Sequence, residues 1–183
     1  MIARKVTIKL RYLGIAFAAM VLQGCTSVPE GLDPVTNFDV QKYLGTWYEI
    51  ARFDHSFERG LNNVTATYAL REDGGIAVLN RGYNTAEQEW EQAEGKAYFV
   101  NEPTTGHLKV SFFGPFYASY VVIALDDEDY QYSLVTGPDR DYLWILARQP
   151  NVPQQTLDAL LDFAQQSGYD TEKFIWVEHT QER

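Results

Sequence analysis

The sequence predicts an all-β domain: an eight-stranded antiparallel up-and-down β-barrel with one C-terminal α-helix packed outside and a short final strand. Three observations lead there. Between residues 46 and 149, eight runs rich in β-branched and aromatic residues are separated by turn residues. Alternation is clearest in Leu108-Lys109-Val110-Ser111-Phe112, where Leu, Val and Phe share one face. A single helical stripe then follows, Leu157, Leu160, Leu161 and Ala164, at i, i+3, i+4, i+7. The 12 Tyr, 10 Phe and 4 Trp suit strands, and 45% hydrophobic residues are enough for a core.

The chain opens on an address rather than a fold. Arg4, Lys5, Lys9 and Arg11 precede an apolar run at 12–22 that ends in Leu22-Gln23-Gly24-Cys25. A charged start, a short apolar run and a small residue before the cut describe a secretory signal over 1–24. The run is too short to span a bilayer, which takes about 20 residues. Leu-Gln-Gly-Cys resembles the bacterial lipobox, in which the thiol receives a diacylglycerol and becomes the new first residue. That resemblance makes Cys25 a lipid anchor, and Thr26 after it favours the outer membrane. Pro29, Gly31 and Pro34 read as a tether over 25–38, leaving 39–183 for the barrel domain.

Asp39 to Leu44 fits one helical turn capped by Asp39. The strands are expected at 46–54, 62–71, 75–83, 89–101, 107–113, 116–126, 130–136 and 141–149. Asp73-Gly74-Gly75, Gly114-Pro115 and Gly137-Pro138-Asp139 are turn signals, and the acidic run Asp126 to Asp129 reads as a solvated turn. Short connections make the strands antiparallel neighbours. Eight of them close into a barrel that removes both edges and can hold one small ligand. Asn151 and Gln154 have capping-box spacing for the helix, and Gly168 suits its end. Residues 173–178 form the final strand.

Charge and cysteine usage exclude several functions. The formal charge is −10, and the four basic residues of the leader face no acid there, so the remainder stands at −14. A body this acidic repels phosphate backbones, so nucleic acid is not an expected partner. One Cys allows neither an internal disulfide nor a Cys/His zinc site. His55, His107 and His179 are scattered, so no metal or other cofactor is expected. No thiol remains after Cys25, and Ser119 and Ser133 have no nearby His in sequence. Glu49 could pair with Asp54, but it reads better as a structural carboxylate. Binding is therefore expected, not catalysis.

The order of eight strands, a helix and a short strand resembles the lipocalin family. Gly45-Thr46-Trp47 matches its G-x-W motif, and Arg148 matches the basic residue that ends its eighth strand. YLGTWYEIARFDHSFERG, ATYALREDGG, EGKAYFV, LKVSFFGPFY and GPDRDYLWILAR look like the bacterial outer-membrane lipocalins, with apolipoprotein D as a more distant relative. The resemblance covers about 38 to 178. It implies that Arg148 packs across Trp47 and plugs one end of the barrel. It implies a lipid-anchored protein, at the periplasmic face of the outer membrane, that binds, stores or transports fatty acids or lysophospholipids in membrane maintenance, often as a homodimer. By the same resemblance and by alternation, the ligand-lining residues are Tyr68, Val78, Asn80, Phe99, Val110, Phe112, Tyr120, Val122, Trp144 and Leu146, with Tyr117 beside the open-end loop. The alternative is a structural or adaptor lipoprotein whose barrel is filled by its own side chains.

Overall fold

A computed structural model describes residues 26–180. Eight strands follow one another around a closed barrel: β1 (Gly45–Arg52), β2 (Leu61–Leu70), β3 (Ile76–Asn84), β4 (Glu89–Phe99), β5 (His107–Ser111), β6 (Ala118–Leu125), β7 (Tyr132–Thr136) and β8 (Leu143–Ala147). Each pairs antiparallel with its sequence neighbour, and β1 closes the ring by pairing with both β2 and β8. A short helix α1 (Val40–Tyr43) precedes β1, and Asp39 caps it by accepting from the Gln41 N–H. Helix α2 (Gln154–Gln166) and a 3-10 turn (Thr171–Lys173) follow β8. The final strand β9 (Ile175–Trp176) pairs with Ala51 and Arg52 of β1, beyond the stretch that β2 covers.

Alternation sorts the side chains into two apolar layers. The inner layer gathers Trp47, Tyr68, Val78, Leu108, Val122, Val135 and Leu146. The outer layer, Ala51, Val121, Ile123, Leu134, Leu143 and Ile145, receives Leu160 and Ala164 of α2, with Leu157 and Leu161 packed at its edge. The apolar stripe of the helix thus covers one flank of the barrel, as its spacing predicts.

Three details differ from the sequence reading. The strands are shorter than expected at several ends, because turn residues at 53–60, 112–117 and 137–142 leave the ladder early. The helix begins at Gln154, with Pro153 at the cap position and no side-chain cap bond, so Asn151 does not cap it. The cause is local: a residue before proline is held away from the helical region, so Val152 cannot be a first helical residue. Gly168 does end the helix, at φ 85°. Residues 26–38 are laid on the barrel rather than hanging free. Val35 bonds the backbones of Gly106 and Val122, Thr36 bridges Thr105, and Phe38 is buried in the inner layer. As expected, Glu49 is a buried, hydrogen-bonded carboxylate; it pairs with Arg52, while Asp54 pairs with Arg59. Cys25 and residues 1–24 lie outside the described residues.

Candidate functional site: the barrel interior and its two ends

In an antiparallel meander the connections alternate between ends. The β2–β3, β4–β5 and β6–β7 turns lie at one end together with α1, and this end is sealed. Trp47 is fully buried and donates from Nε1 to the Tyr43 carbonyl at 2.8 Å. The Arg148 guanidinium lies 4.0 Å above the Trp47 ring centre. It also donates to the carbonyls of Thr46 (2.9 Å), Lys42 (2.7 Å), Leu44 (2.9 Å) and Tyr130 (3.3 Å). Two of these belong to the end of α1, whose last carbonyls have no partner within so short a helix. Gly45 sits at φ 91°, a backbone that side chains avoid, and its Cα faces Arg148. Motif positions 45, 47 and 148 therefore meet in one plug, and Tyr130, itself buried, accepts the Asp39 N–H on its hydroxyl from the other side.

The opposite end carries the β1–β2, β3–β4, β5–β6 and β7–β8 connections. Phe57, Phe113 and Phe116 stand in solvent on its rim. Between the ends the inward positions divide by exposure. Trp47, Tyr68, Val78, Leu108, Val122 and Leu146 are buried, whereas Asn80, Val110, Phe112, Tyr120 and Trp144 keep partial exposure. The lower interior is filled, and the upper inward side chains keep accessible surface.

The structure brings nine of the residues predicted to line the ligand into the inner layer: Tyr68, Val78, Phe99, Val110, Phe112, Tyr120, Val122, Trp144 and Leu146. Asn80 shares their face, pairing with Ala66 one alternation from the Tyr68–Val78 pair. Phe99 belongs to the floor, 6.2 Å from the Phe38 ring. Tyr117 does not join them. Its ring lies against Tyr98 (6.4 Å) and under the Lys109 ammonium (5.3 Å), both on outward positions of β4 and β5. Counting back from inward Tyr120 by alternation puts position 117 outside, and the loop does not reverse that phase.

Sequence reasoning missed a charged cluster in the upper interior. Arg52 and Glu49 are both inside because β1 carries a bulge at Ile50 between the Glu49–Leu146 and Ala51–Ile145 pairs. Arg52 Nη1 donates to Glu49 Oε1 at 2.7 Å and Nη2 to the Glu58 carbonyl at 2.7 Å. The Glu58 carboxylate, on the β1–β2 loop, folds in to accept from Trp144 Nε1 at 3.1 Å. Burial, with the nearby Glu58 charge, pushes the Glu49 carboxyl up to about 8, against the lowering effect of Arg52. Glu58 is raised for the same reason of burial. Two buried carboxyls with only one guanidinium to offset them favour keeping a proton on the pair.

Beside the mouth, a cleft of about 600 Å³ is lined by Phe53, Asp54, His55, Phe57, Arg140 and Tyr142 among others. His55 is stacked between Phe57 (5.2 Å) and Tyr142 (4.6 Å). The other histidines are engaged with backbone carbonyls: His107 Nε2 lies 3.1 Å from the Thr26 oxygen, and His179 Nε2 lies 2.8 Å from that of Glu49.

Comparison with known proteins agrees with this architecture. A family model described as a lipocalin-like domain matches residues 38–179. An outer membrane lipoprotein Blc of Escherichia coli K12 is 58% identical over 165 residues, covering 89% of this chain and 93% of the relative. Mouse apolipoprotein D is 40% identical over 144 residues, 75% of each chain. The crystal structure of insecticyanin from the tobacco hornworm superposes with a TM-score of 0.66 at 20% identity, over 85% of this chain and 88% of that one. With Gly45, Trp47 and Arg148 meeting in one plug of an eight-stranded barrel, and a match along nearly the whole described chain, this protein belongs to the lipocalin family.

Proposed function

We propose that the protein is a lipid-anchored lipocalin of the bacterial outer membrane, facing the periplasm, that binds fatty acids or lysophospholipids in its barrel and serves membrane maintenance by storing or moving them. The observation that carries this reading is the division of the interior. Val110, Phe112, Tyr120 and Trp144 of the inner layer keep partial exposure, whereas the floor is packed and plugged. A chamber with one entrance suits an amphiphile with a single tail, whose head stays at the rim while the acyl chain replaces water against apolar walls. Each buried CH₂ contributes about 0.8 kcal/mol, so a long tail can offset the entropy lost on capture. The name of the E. coli relative supports the location. The acidic body gives no bulk attraction for carboxylate or phosphate heads, so the tail governs affinity. Lipid anchoring through Cys25 and a homodimer are parts of the same reading.

Native mass spectrometry of protein purified without detergent tests it. Co-purified fatty acid or lysophospholipid is the expected result. A bare polypeptide mass that takes up neither on addition would instead favour a structural or adaptor lipoprotein. The inward fold of Glu58 over Arg52 and Trp144 is the observation that speaks for that second reading, because it partly fills the upper barrel.

A further inference from the structure

The lower barrel contains a polar chain that the plug does not use. The Tyr43 hydroxyl lies 2.7 Å from that of Tyr120 and 3.2 Å from Ser133 Oγ, and the Tyr120 hydroxyl lies 2.9 Å from that of Tyr68. The four hydroxyls are therefore linked in the order Ser133, Tyr43, Tyr120, Tyr68 by three hydrogen bonds. Each hydroxyl carries one proton to donate. Three bonds consume three of the four protons, so one O–H is always left over, whichever way the chain is oriented. Ser133 and Tyr43 are sealed in the core, at 0% and 3% exposure, while Tyr120 keeps partial exposure on the cavity side. With Ser133 donating to Tyr43 and Tyr43 to Tyr120, the surplus proton belongs to Tyr120 or Tyr68. Burial raises all three tyrosines, Tyr43 to about 12, so the hydroxyls stay protonated and remain donors.

An acceptor waits on the same face. Asn80 Oδ1 is inaccessible and has no hydrogen-bond partner. Tyr68 pairs with Val78 and Ala66 with Asn80, which makes Asn80 the diagonal inward neighbour of Tyr68. Such neighbours are about 7–8 Å apart at the backbone, within reach of a tyrosine. A surplus donor on the same face as an orphan acceptor is the complement of a group that both accepts and donates, and a buried polar atom left unpaired costs stability. A plain alkyl tail pressed against this floor satisfies neither.

We propose that Tyr68, Tyr120 and Asn80 form a hydroxyl-recognition point deep in the barrel, which selects amphiphiles whose acyl chain itself carries a hydroxyl group. The tyrosine pair donates to the ligand oxygen, and the Asn80 amide turns its buried oxygen toward the ligand to accept from the ligand O–H. This inference rests on the reading of the barrel as an acyl-chain site and names the chemistry that site prefers.

Calorimetric titration of the full mature chain tests it with octadecanoic acid and with octadecanoic acids hydroxylated at C2, C10 or C12. At least one of the C10 and C12 isomers should bind about tenfold more tightly than the unsubstituted acid, the gain expected for two hydrogen bonds made in place of unpaired groups. The C2 isomer, whose hydroxyl stays near the mouth, should show no gain. The double variant Tyr68→Phe, Tyr120→Phe, and separately Asn80→Ala, should abolish the preference, read within each variant as the ratio of its affinities for the hydroxylated and the unsubstituted acid. Circular dichroism and thermal unfolding establish that each variant is folded, and either one alone suffices for the comparison. Equal affinity for all four acids in the natural protein would mean that only water uses these groups, and would overturn the proposal while leaving acyl binding intact. A preference that survives in both variants would also overturn it. Failure to bind any of the four would overturn the acyl-chain reading itself.

Discussion

Replacing Arg148 tests the closed end most sharply. The guanidinium does two things there: it covers the Trp47 ring at 4.0 Å and donates to four carbonyls. A partly exposed cation–π contact is worth about 0.5–1 kcal/mol. Of the four carbonyl bonds, those to Tyr130 and Leu44 are partly buried, while those to Thr46 and Lys42 are exposed and can be rehydrated. Losing the first two leaves acceptors short of a partner at about 1 kcal/mol each. Arg148→Ala is therefore expected to cost about 2–4 kcal/mol. Trp47→Ala, which opens a cavity at a fully buried position, is expected to cost about 3–5 kcal/mol. Because the two residues touch, the double variant should fall short of the sum by about 1–2 kcal/mol. Arg148→Lys should recover only part of the loss, since an ammonium lacks the planar fork that reaches several carbonyls and stacks on an indole. Urea denaturation followed by circular dichroism measures all four proteins. Additivity within about 0.3 kcal/mol, or full rescue by lysine, would refute the plug as described.

Other outcomes follow from the interior charges and from the leader. Glu49 and Glu58 hold protons more tightly in the folded barrel than a carboxyl ordinarily does, at 4.5, so the stability they confer is complete below that pH and is lost as pH rises, through about 8 for Glu49. The urea midpoint should therefore fall between pH 5 and pH 8, and Glu49→Gln should reduce that fall; an identical fall in the variant would contradict the assignment. Cys25→Ser should move the protein into the soluble fraction with its leader uncut, as fractionation and intact mass would reveal, whereas correct processing with retention in the membrane would contradict lipidation at Cys25. Leu160→Ala, which removes a buried contact between α2 and the barrel wall, should cost about 2–4 kcal/mol in the same denaturation assay, and a loss under 0.5 kcal/mol would mean the helix is not held by its apolar stripe.

The fold was legible because barrel strands obey a period of two. Leu108, Val110 and Phe112 declared their common face without help, and the stripe of α2 declared which side it buries. What remained hidden depended on departures from those periods. Strict alternation from Trp47 through Glu49 puts Arg52 outside; the bulge at Ile50 reverses the phase and brings Arg52 against Glu49. A bulge adds one residue without any required residue type, so the sequence carried no mark of it. The capping-box spacing at Asn151 points one turn too early for the helix start, because Pro153 holds Val152 away from the helical region. Pro29, Gly31 and Pro34 resemble a linker, yet Val28, Leu32 and Val35 are apolar and pack against the barrel. The tyrosine chain could not be foreseen, since Tyr43, Tyr68, Tyr120 and Ser133 come from four separate elements whose heights along the barrel depend on register. Tyr117 misled for the opposite reason, being near the mouth in sequence but on the outer face in space.

A fluorescence titration shows most directly whether the upper barrel takes acyl chains. Trp144 stands at the mouth of that space, so ligand entry should change its emission. Saturated fatty acids from about C8 to C18 should bind with affinity that rises by up to about 0.8 kcal/mol per added CH₂ and then levels off when the cavity is full. Replacing Tyr120 by Lys should weaken that binding while the barrel stays folded. A flat response across the same range, with no change in Trp144 emission, would contradict the account.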